Sequence, residues 1–388
     1  MRPSRRAALA LTMLAAACER DAPPEAEPTD AAADDPREAA SRPPATGPSS
    51  SVADVYGPLD GAPARDVAFW SHPALAFQSL VVTGSAGGLA AFDVETGDAV
   101  DGWSNAIDGS VGALSVAYLG AGPSARSVLV ASGDGLVAVE IDAQTRAPAG
   151  PGASADLAAT GVCLGPGDGD ALAGFAVVDG GLVAFQVALA DGPAIDVGDA
   201  LKVEAAIVDC AIDPSDGGLF ALAAAGDVLR AAANAPAAFE TVATAPDGAP
   251  FPTAIDVILK RDAETGPARV FVAALESAPA AVRLYEISGE IDAGDVDLGA
   301  VRLSASFDHP AATAAAGFGV GFGNYGGVYR DGMVAIAADD EAGAGVRATP
   351  LNGFLDALAV DVAGPVDPRD VNPTPEDPFA IDAPARQP

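Results

Sequence analysis

The sequence predicts an all-β protein, and within that class a six-bladed β-propeller of four-stranded antiparallel blades. The first observation is a repeat, since nearly the same eight residues occur three times, with starts 47 and then 46 residues apart. The copies are GGLAAFDV from residue 87, DGLVAVEI from residue 134 and GGLVAFQV from residue 180. A fixed period of about 20 to 50 residues indicates a repeat architecture. The second observation is that short apolar runs, and no long helical periodicity, lie between the copies, which favours radial repetition of small sheets.

Each unit contains three apolar runs, and in the first three units a Gly-containing turn joins the last two runs into a hairpin. In the first three units the runs are 67–70, 80–83 and 87–94; 114–118, 127–131 and 134–141; 161–164, 173–178 and 180–187. In the remaining units they are 208–212, 219–224 and 227–232; 254–259, 269–275 and 281–287; 317–322, 333–338 and 346–351. A β-sandwich is the alternative fold, but a sandwich does not require equal spacing of equivalent strands. This chain has equal spacing, since Val116, Cys163 and Cys210 occupy equivalent strand positions at equal intervals.

The N-terminus has the features of an export signal. Three arginines precede an apolar run, residues 7–17, that is too short to span a membrane and ends at Cys18. Residues 1–18 therefore resemble the leader of a bacterial lipoprotein, which implies lipidation of Cys18 and an exported protein anchored in the cell envelope, in the periplasm or at the outer membrane. An ordinary cleaved signal peptide is the alternative. Residues 19–52 are rich in Ala, Pro and acids, a composition that predicts a disordered tether. We expect the propeller over residues 53–370, followed by a Pro-rich tail over 371–388.

Charge excludes several classes of partner. The chain carries a net charge of −34 and contains only two lysines, so it lacks the basic surface that nucleic acid or anionic lipid requires. We therefore expect that the chain does not bind nucleic acid and contacts a membrane only through a lipid anchor. We also expect a monomer. The surplus of acids has two interpretations, a solvated surface and a face that binds cations.

Most catalytic templates are absent from the sequence. Two histidines, His72 and His309, cannot supply a zinc cluster, and no GxSxG stretch accompanies them. The GxGxxG match at 321–326 has no helix pattern after it and is expected to lead into a strand at Met333. Cys163 and Cys210 occupy the same strand position in neighbouring units, so they either form a disulfide near the propeller axis or are two small buried hydrophobic residues.

Several stretches resemble the motifs of the β-propeller phytases, in the order in which that family has them. DVAFWSHP (66–73) is similar to the family's opening motif and VTGSAGGLAAFDVETG (82–97) to its second. VDCAIDPSDGGLFAL (208–222) and VDPR (366–369) follow at similar spacing. The resemblance implies a six-bladed propeller that uses calcium to hydrolyse phosphate monoesters of inositol hexakisphosphate, and hence an inositol phosphate or another phosphorylated small molecule as its partner.

The resemblance also implies a set of site residues. The acids that match family calcium ligands are Asp66, Asp256, Glu276 and Asp339, and Arg347 stands where the family has a phosphate-binding lysine. Asp209, beside a family glutamate position, and Asp256 are the candidate catalytic residues. The positions at which this chain lacks the family's charged or hydroxyl side chains are Ser85, Ala86, Ser115, Ala117, Thr160, Val208, Ala223 and Ala224.

Two functions from different classes are compatible with these residues. The first is a divergent calcium-dependent phytase, with activity weakened or lost because most calcium and phosphate ligands are missing. The second is a non-catalytic, membrane-tethered propeller that acts as a binding or scaffold protein. Inward-facing charge separates the two, because a hexakisphosphate needs several cations around it and a strongly negative pocket repels it.

Overall fold

The computed structural model describes residues 47–57, 62–107, 109–167, 169–261, 268–287 and 296–371. It confirms the six-bladed β-propeller, since the strands form six small sheets of mostly antiparallel strands. The predicted leader, Cys18, most of the tether and all but the first residue of the tail lie outside the described residues. No helix in the described part of the chain has the length and apolar character needed to cross a bilayer.

The strands follow one another around the ring in chain order, after two short N-terminal strands, β1 (Ser49–Ser51) and β2 (Asp54–Tyr56). Blade 1 consists of β3 (Ala64–Trp70), β4 (Leu80–Ser85) and β5 (Gly88–Asp93). Blade 2 consists of β6 (Val111–Leu119), β7 (Arg126–Gly133), β8 (Leu136–Asp142), β9 (Ala147–Pro148) and β10 (Ala153–Ala155). Blade 3 consists of β11 (Gly161–Pro166), β12 (Ala171–Val178), β13 (Gly181–Ala188) and β14 (Ala194–Leu201).

The second half of the ring has the same organisation. Blade 4 consists of β15 (Ile207–Ile212), β16 (Leu219–Ala223), β17 (Val228–Ala231) and β18 (Glu240–Ala243). Blade 5 consists of β19 (Ala254–Arg261), β20 (Ala268–Ser277), β21 (Ala280–Ile287) and β22 (Val296–Ser304), with β1 at its edge. Blade 6 consists of β23 (Ala315–Gly321), β24 (Met333–Asp340) and β25 (Gly343–Pro350), with β2 at its edge and a short helix, α1 (Leu351–Asp356), after it.

The N-terminal strands begin the propeller earlier than the sequence predicts. Strand β1 pairs in parallel with β22, and β2 pairs antiparallel with β25. Ser50, assigned above to the tether, is buried, and its hydroxyl lies 2.6 Å from that of Thr349. Residues 49–52 therefore belong to the propeller, because the edges of blades 5 and 6 expose backbone groups that these strands satisfy.

The hydrophobic core is divided among the blade interfaces. The buried apolar residues of the described chain form six clusters, each lying between two neighbouring blades. The largest of these side chains, such as Trp70 and Trp103 between blades 1 and 2, are almost fully buried. Because each sheet is covered on both sides, its strands read as nearly continuous apolar runs, and this is the pattern that identifies them in the sequence.

The ring closes where blade 6 meets blade 1, and this contact requires glycine. A Cβ on Gly317 would lie 2.1 Å from the carbonyl oxygen of Arg65, and one on Gly319 would lie 2.3 Å from that of Val67. The Gly-rich run at 317–322 thus allows two backbones to touch. The adjoining GxGxxG match leads into β24 at Met333, as the sequence predicts, with a three-residue 3-10 helix between.

Candidate functional site

The inner strands of the six blades, β3, β6, β11, β15, β19 and β23, follow one another in contact around the propeller axis. They enclose an axial cavity of about 390 Å³. Its charged and polar lining residues are Asp66, Ser115, Tyr118, Asp209, Asp256, Tyr325 and Arg369. At the C-terminal ends of the inner strands the cavity is lined by exposed loop residues, among them Gly120 and Gly167, so it opens to solvent at that end.

Three carboxyl groups lie at one level of the axial cavity. Asp66, Asp209 and Asp256 are each the third residue of an inner strand, in blades 1, 4 and 5. Each carboxylate accepts a hydrogen bond from a backbone N–H of the next blade. The donors are Leu114 N–H to Asp66 at 2.7 Å, Ile255 N–H to Asp209 at 2.8 Å and Val320 N–H to Asp256 at 2.7 Å. The same side chain at the same strand position therefore ties neighbouring blades together.

The other three blade interfaces have contacts of different chemistry at this level. Between blades 2 and 3, the hydroxyl of Ser115 accepts a hydrogen bond from Leu164 N–H at 3.0 Å. Between blades 3 and 4, Cys163 and Cys210 form a disulfide with their Cα atoms 5.7 Å apart, which decides between the two alternatives left by the sequence. Between blades 6 and 1 the glycine backbones are in direct contact. A ring of contacts thus surrounds the axis.

Burial raises the pKa of all three carboxyl groups, because the cavity wall shields the charged form from water. Burial is the largest cause that raises the pKa of Asp66 well above its usual range, and the negative charge of Asp209 is the second. Burial raises the pKa of Asp209 to about 7 and that of Asp256 to about 6, although backbone N–H groups that bind the carboxylates oppose the rise. These carboxyl groups are therefore partly protonated near neutral pH.

Arg369 and two tyrosines line the cavity toward its open end. The C-terminal segment 366–371 packs there, since Val366 is buried between blades 4 and 5, and a Cβ on Gly323 would lie 2.8 Å from Pro368. The guanidinium of Arg369 donates from Nε and Nη2 to Asp367 at 2.8 and 3.1 Å. Its Nη1 is buried without a hydrogen-bond partner among the residues that the structure describes, and the side chain is only 10% exposed.

The tyrosines stay neutral at this end of the cavity. The Tyr118 hydroxyl accepts a hydrogen bond from Ser71 N–H at 2.7 Å. Burial raises the pKa of Tyr118 and of Tyr325 well above the usual value, so neither supplies charge. Arg369, already paired with Asp367, is the basic side chain among the lining residues of the described chain.

The remaining predicted site residues lie away from the cavity. Glu276 is buried in an ion pair with Arg283, whose Nε lies 2.8 Å from its Oε1. Asp339 is exposed near the end of β24. Neither lines the cavity beside Asp66 and Asp256, so the predicted calcium-ligand set is not brought together.

Arg347, the predicted phosphate ligand, is committed to a buried structural pair. Its Nη1 and Nη2 donate to the carboxylate of Asp340 at 2.6 and 2.8 Å, and also to the carbonyl oxygens of Ala311 and Gly343. The guanidinium holds the pKa of Asp340 well below its usual range. Because the side chain is almost completely buried, phosphate cannot reach it without breaking this pair.

The donor set does not fit a calcium ion of the kind that the family resemblance implies. Calcium takes about six to eight oxygen ligands, whereas the described residues contain no group of three His, Cys, Asp or Glu side chains placed to hold a metal. Asp256 also has both carboxylate oxygens engaged, by Val257 N–H at 2.8 Å and by Val320 N–H.

The sequence did not identify the open end of the cavity as part of a site. Arg369 ends the VDPR stretch, which the sequence marks only as a closing motif, and Tyr325 lies in the GxGxxG match, which has no helix pattern after it. The sequence contains both motifs, but the contact of their residues with the same cavity depends on how the chain returns to the ring after blade 6.

No known protein-family profile matches the chain, and no curated protein matches it significantly. Solved structures are similar to it at low identity. The WD40 repeats of RRP9 are 12% identical over 78% of this chain and 98% of that chain, with a TM-score of 0.46. A Bacteroides thetaiotaomicron protein of unknown function is 11% identical over 78% and 75%, with a TM-score of 0.46, and the Cps50 (Swd1) β-propeller domain of Myceliophteria thermophila is 15% identical over 77% and 88%, with a TM-score of 0.40. These similarities carry no argument about function and give no support to the phytase resemblance.

Proposed function

We propose that this chain is a non-catalytic binding propeller, held at the cell envelope through Cys18, and that its ligand occupies the axial cavity. The observation that carries the proposal is that the predicted calcium and phosphate ligands do not meet at the candidate catalytic residues. Asp66, Asp209 and Asp256 line the cavity, whereas Glu276 and Arg347 are each consumed in a buried ion pair elsewhere. Fold alone does not preserve an activity when the site residues are dispersed.

Charge in the cavity also opposes a phosphorylated substrate. Phosphoryl transfer in metal-dependent enzymes relies on cations that neutralise the phosphate oxygens. Here the lining contributes three carboxyl groups and one arginine that is already paired with Asp367. In a chain of net charge −34, an inositol phosphate carries several negative charges into this cavity, and the single arginine of its lining is too little to offset the repulsion.

A divergent calcium-dependent phosphomonoesterase is the second candidate. It is favoured by one observation, which is that both candidate catalytic residues, Asp209 and Asp256, lie in the same cavity with Asp66. In this alternative, calcium bound at the carboxyl groups would reverse the sign of the local charge.

Phosphate release from inositol hexakisphosphate and from p-nitrophenyl phosphate, measured with the full chain at saturating calcium, separates the two candidates. We expect no release above the buffer background. Calcium-dependent turnover that Asp256→Asn abolishes, and that Asp199→Asn on the exposed edge strand of blade 3 retains, would overturn the non-catalytic assignment.

The anchor has a separate test. Cys18→Ser is expected to release the protein from the membrane fraction, because a diacylated cysteine supplies the two chains that stable anchoring needs. Membrane association that is unchanged in Cys18→Ser would contradict the anchor while leaving the cavity proposal intact.

A further inference from the structure

We infer that the axial cavity is a site for a small organic cation that carries a hydrogen-bond acceptor at its other end, in the manner of an ω-amino acid. The inference rests on the proposed binding function and adds the chemical class of the ligand. It is carried by two features at different levels of one cavity, the carboxyl groups of Asp66, Asp209 and Asp256 and the unpartnered Nη1 of Arg369.

The inner level of the cavity selects for positive charge. Three carboxyl groups share it, and none of them has an ion pair with a basic residue of the described chain; their partners are backbone N–H groups. The other titratable groups that face the cavity are Tyr118 and Tyr325, which are neutral, and Arg369, which lies toward the open end. A bound ammonium group would supply the missing counter-charge and hydrogen-bond donors.

The outer level selects for an acceptor. Arg369 donates from Nε and Nη2 to Asp367, which fixes the guanidinium plane and leaves Nη1 as a buried donor without a partner in the described part of the chain. A buried donor without a partner costs free energy, and an acceptor on a ligand recovers that cost. A carboxylate or another oxygen acceptor on the ligand meets this requirement.

The spacing of the two levels sets the ligand length. Leu114 on β6, whose N–H binds the carboxylate of Asp66, marks the inner level, and Tyr118, which lines the cavity with Arg369, lies four residues further along the same strand. Four residues of a strand rise by roughly 13 Å. The cavity volume of 390 Å³ is within the range of about 300 to 1,000 Å³ that small-molecule sites occupy. A ligand with about five methylene groups between its charged ends therefore fits both levels.

Three matched six-carbon probes test the inference, namely 6-aminohexanoate, n-hexylamine and hexanoate. Binding to the full chain is measured by isothermal titration calorimetry at pH 6.5, in two buffers of different ionisation enthalpy, and by thermal melting. We expect 6-aminohexanoate to bind at least tenfold more tightly than hexylamine, and hexanoate to show no binding. We also expect proton release, because a cation beside Asp209 and Asp256 favours their ionised forms.

Variants assign the two ends. Asp209→Asn removes a charge but keeps an oxygen that can accept the Ile255 N–H, and we expect it to weaken 6-aminohexanoate binding at least tenfold and to reduce proton release. Asp199→Asn makes the same charge change on the exposed edge strand of blade 3 and serves as the matched control. Arg369→Gln is expected to make the affinity for 6-aminohexanoate fall to that of hexylamine, while hexylamine binding is unchanged.

Each contrary outcome overturns the inference in a recognisable way. If hexanoate bound most tightly of the three probes, the cavity would select an anion and not a cation. If a neutral sugar such as glucose bound more tightly than 6-aminohexanoate, the cavity would not require a cation. If calcium chloride raised the melting temperature of the parent but not of Asp209→Asn, and no amine raised it, the ligand would be a metal ion and not an organic cation. Equal loss in Asp209→Asn and Asp199→Asn would show an effect of net charge only. Phosphate release tests the non-catalytic assignment independently, so failure of one proposal is distinguishable from failure of the other.

Discussion

The disulfide between Cys163 and Cys210 offers the sharpest test of how the ring is held together. Replacing both cysteines with alanine removes the one covalent link between blades 3 and 4 among the described residues, apart from the chain itself. The bridge closes a loop with a sequence separation of 47 residues. In the loop-entropy treatment, a link across a loop of that size restricts the unfolded chain by about 4 kcal/mol. The double variant should therefore lose about 4 kcal/mol of unfolding free energy.

Urea unfolding followed by tryptophan fluorescence reports this loss, since Trp70 and Trp103 are buried at a blade interface. In a propeller of this size, a loss of 4 kcal/mol corresponds to a fall of about 6 °C in Tm. The parent and all variants carry Cys18→Ser, so the parent retains only Cys163 and Cys210. Each single Cys→Ala change should cost about as much as the double change, because either one breaks the same bond.

Two results would contradict a stabilising disulfide between blades 3 and 4. The first is a double variant whose unfolding free energy lies within about 1 kcal/mol of the parent. The second is alkylation of two free thiols when the parent is denatured without a reductant. Cys163 and Cys210 would then be small buried side chains, and blades 3 and 4 would be held together at the axis by packing alone.

Three further predictions concern pH, the buried ion pair and ring closure. Burial raises the pKa of Asp209 in the folded state to about 7, so the folded protein binds more protons than the unfolded chain in mildly acidic solution. The stability that protonated Asp209 contributes is complete below the unfolded pKa and is lost as the pH rises through the folded pKa. The unfolding free energy should therefore fall from pH 5 to pH 8, with a shallower slope in Asp209→Asn. Arg347→Met should cost about 3 to 5 kcal/mol in urea unfolding, because it leaves the Asp340 charge buried alone, and unchanged stability would contradict the structural assignment. Gly317→Ala should prevent folding to a soluble monomer on gel filtration, since its Cβ would meet a backbone carbonyl at 2.1 Å, whereas Gly57→Ala, with open space around it, should behave like the parent.

The fold could be predicted from the sequence because the repeat places equivalent strands at equal intervals. Burial on both faces makes the strands apolar throughout, so the runs at 80–83 and 127–131 match β4 and β7 closely. The closing elements could not be predicted in this way. Strand β1 is three serines, which carry no apolar pattern, and it forms only because the edge of β22 offers backbone partners. Helix α1 has six residues, too few for a helical period to appear.

The candidate site could be predicted only in part. The sequence selected Asp66, Asp209 and Asp256, and the structure places all three around one cavity. It could not show that their carboxylates accept hydrogen bonds from the next blade, because such contacts depend on which way each inner strand faces. Arg347 has the charge expected of a phosphate ligand, yet its pairing with Asp340, seven residues earlier across a hairpin, is visible only once β24 and β25 are in register.

We infer that the axial cavity binds an organic cation between its carboxyl groups and Arg369. The most direct test is a crystal structure of the full chain grown with 6-aminohexanoate and calcium chloride together. We expect electron density along the cavity, with the amino nitrogen within hydrogen-bond distance of Asp209 or Asp256 and the carboxylate within hydrogen-bond distance of Nη1 of Arg369. A calcium ion at the carboxyl groups with no amine beside it, or 6-aminohexanoate bound only outside the cavity, would contradict it.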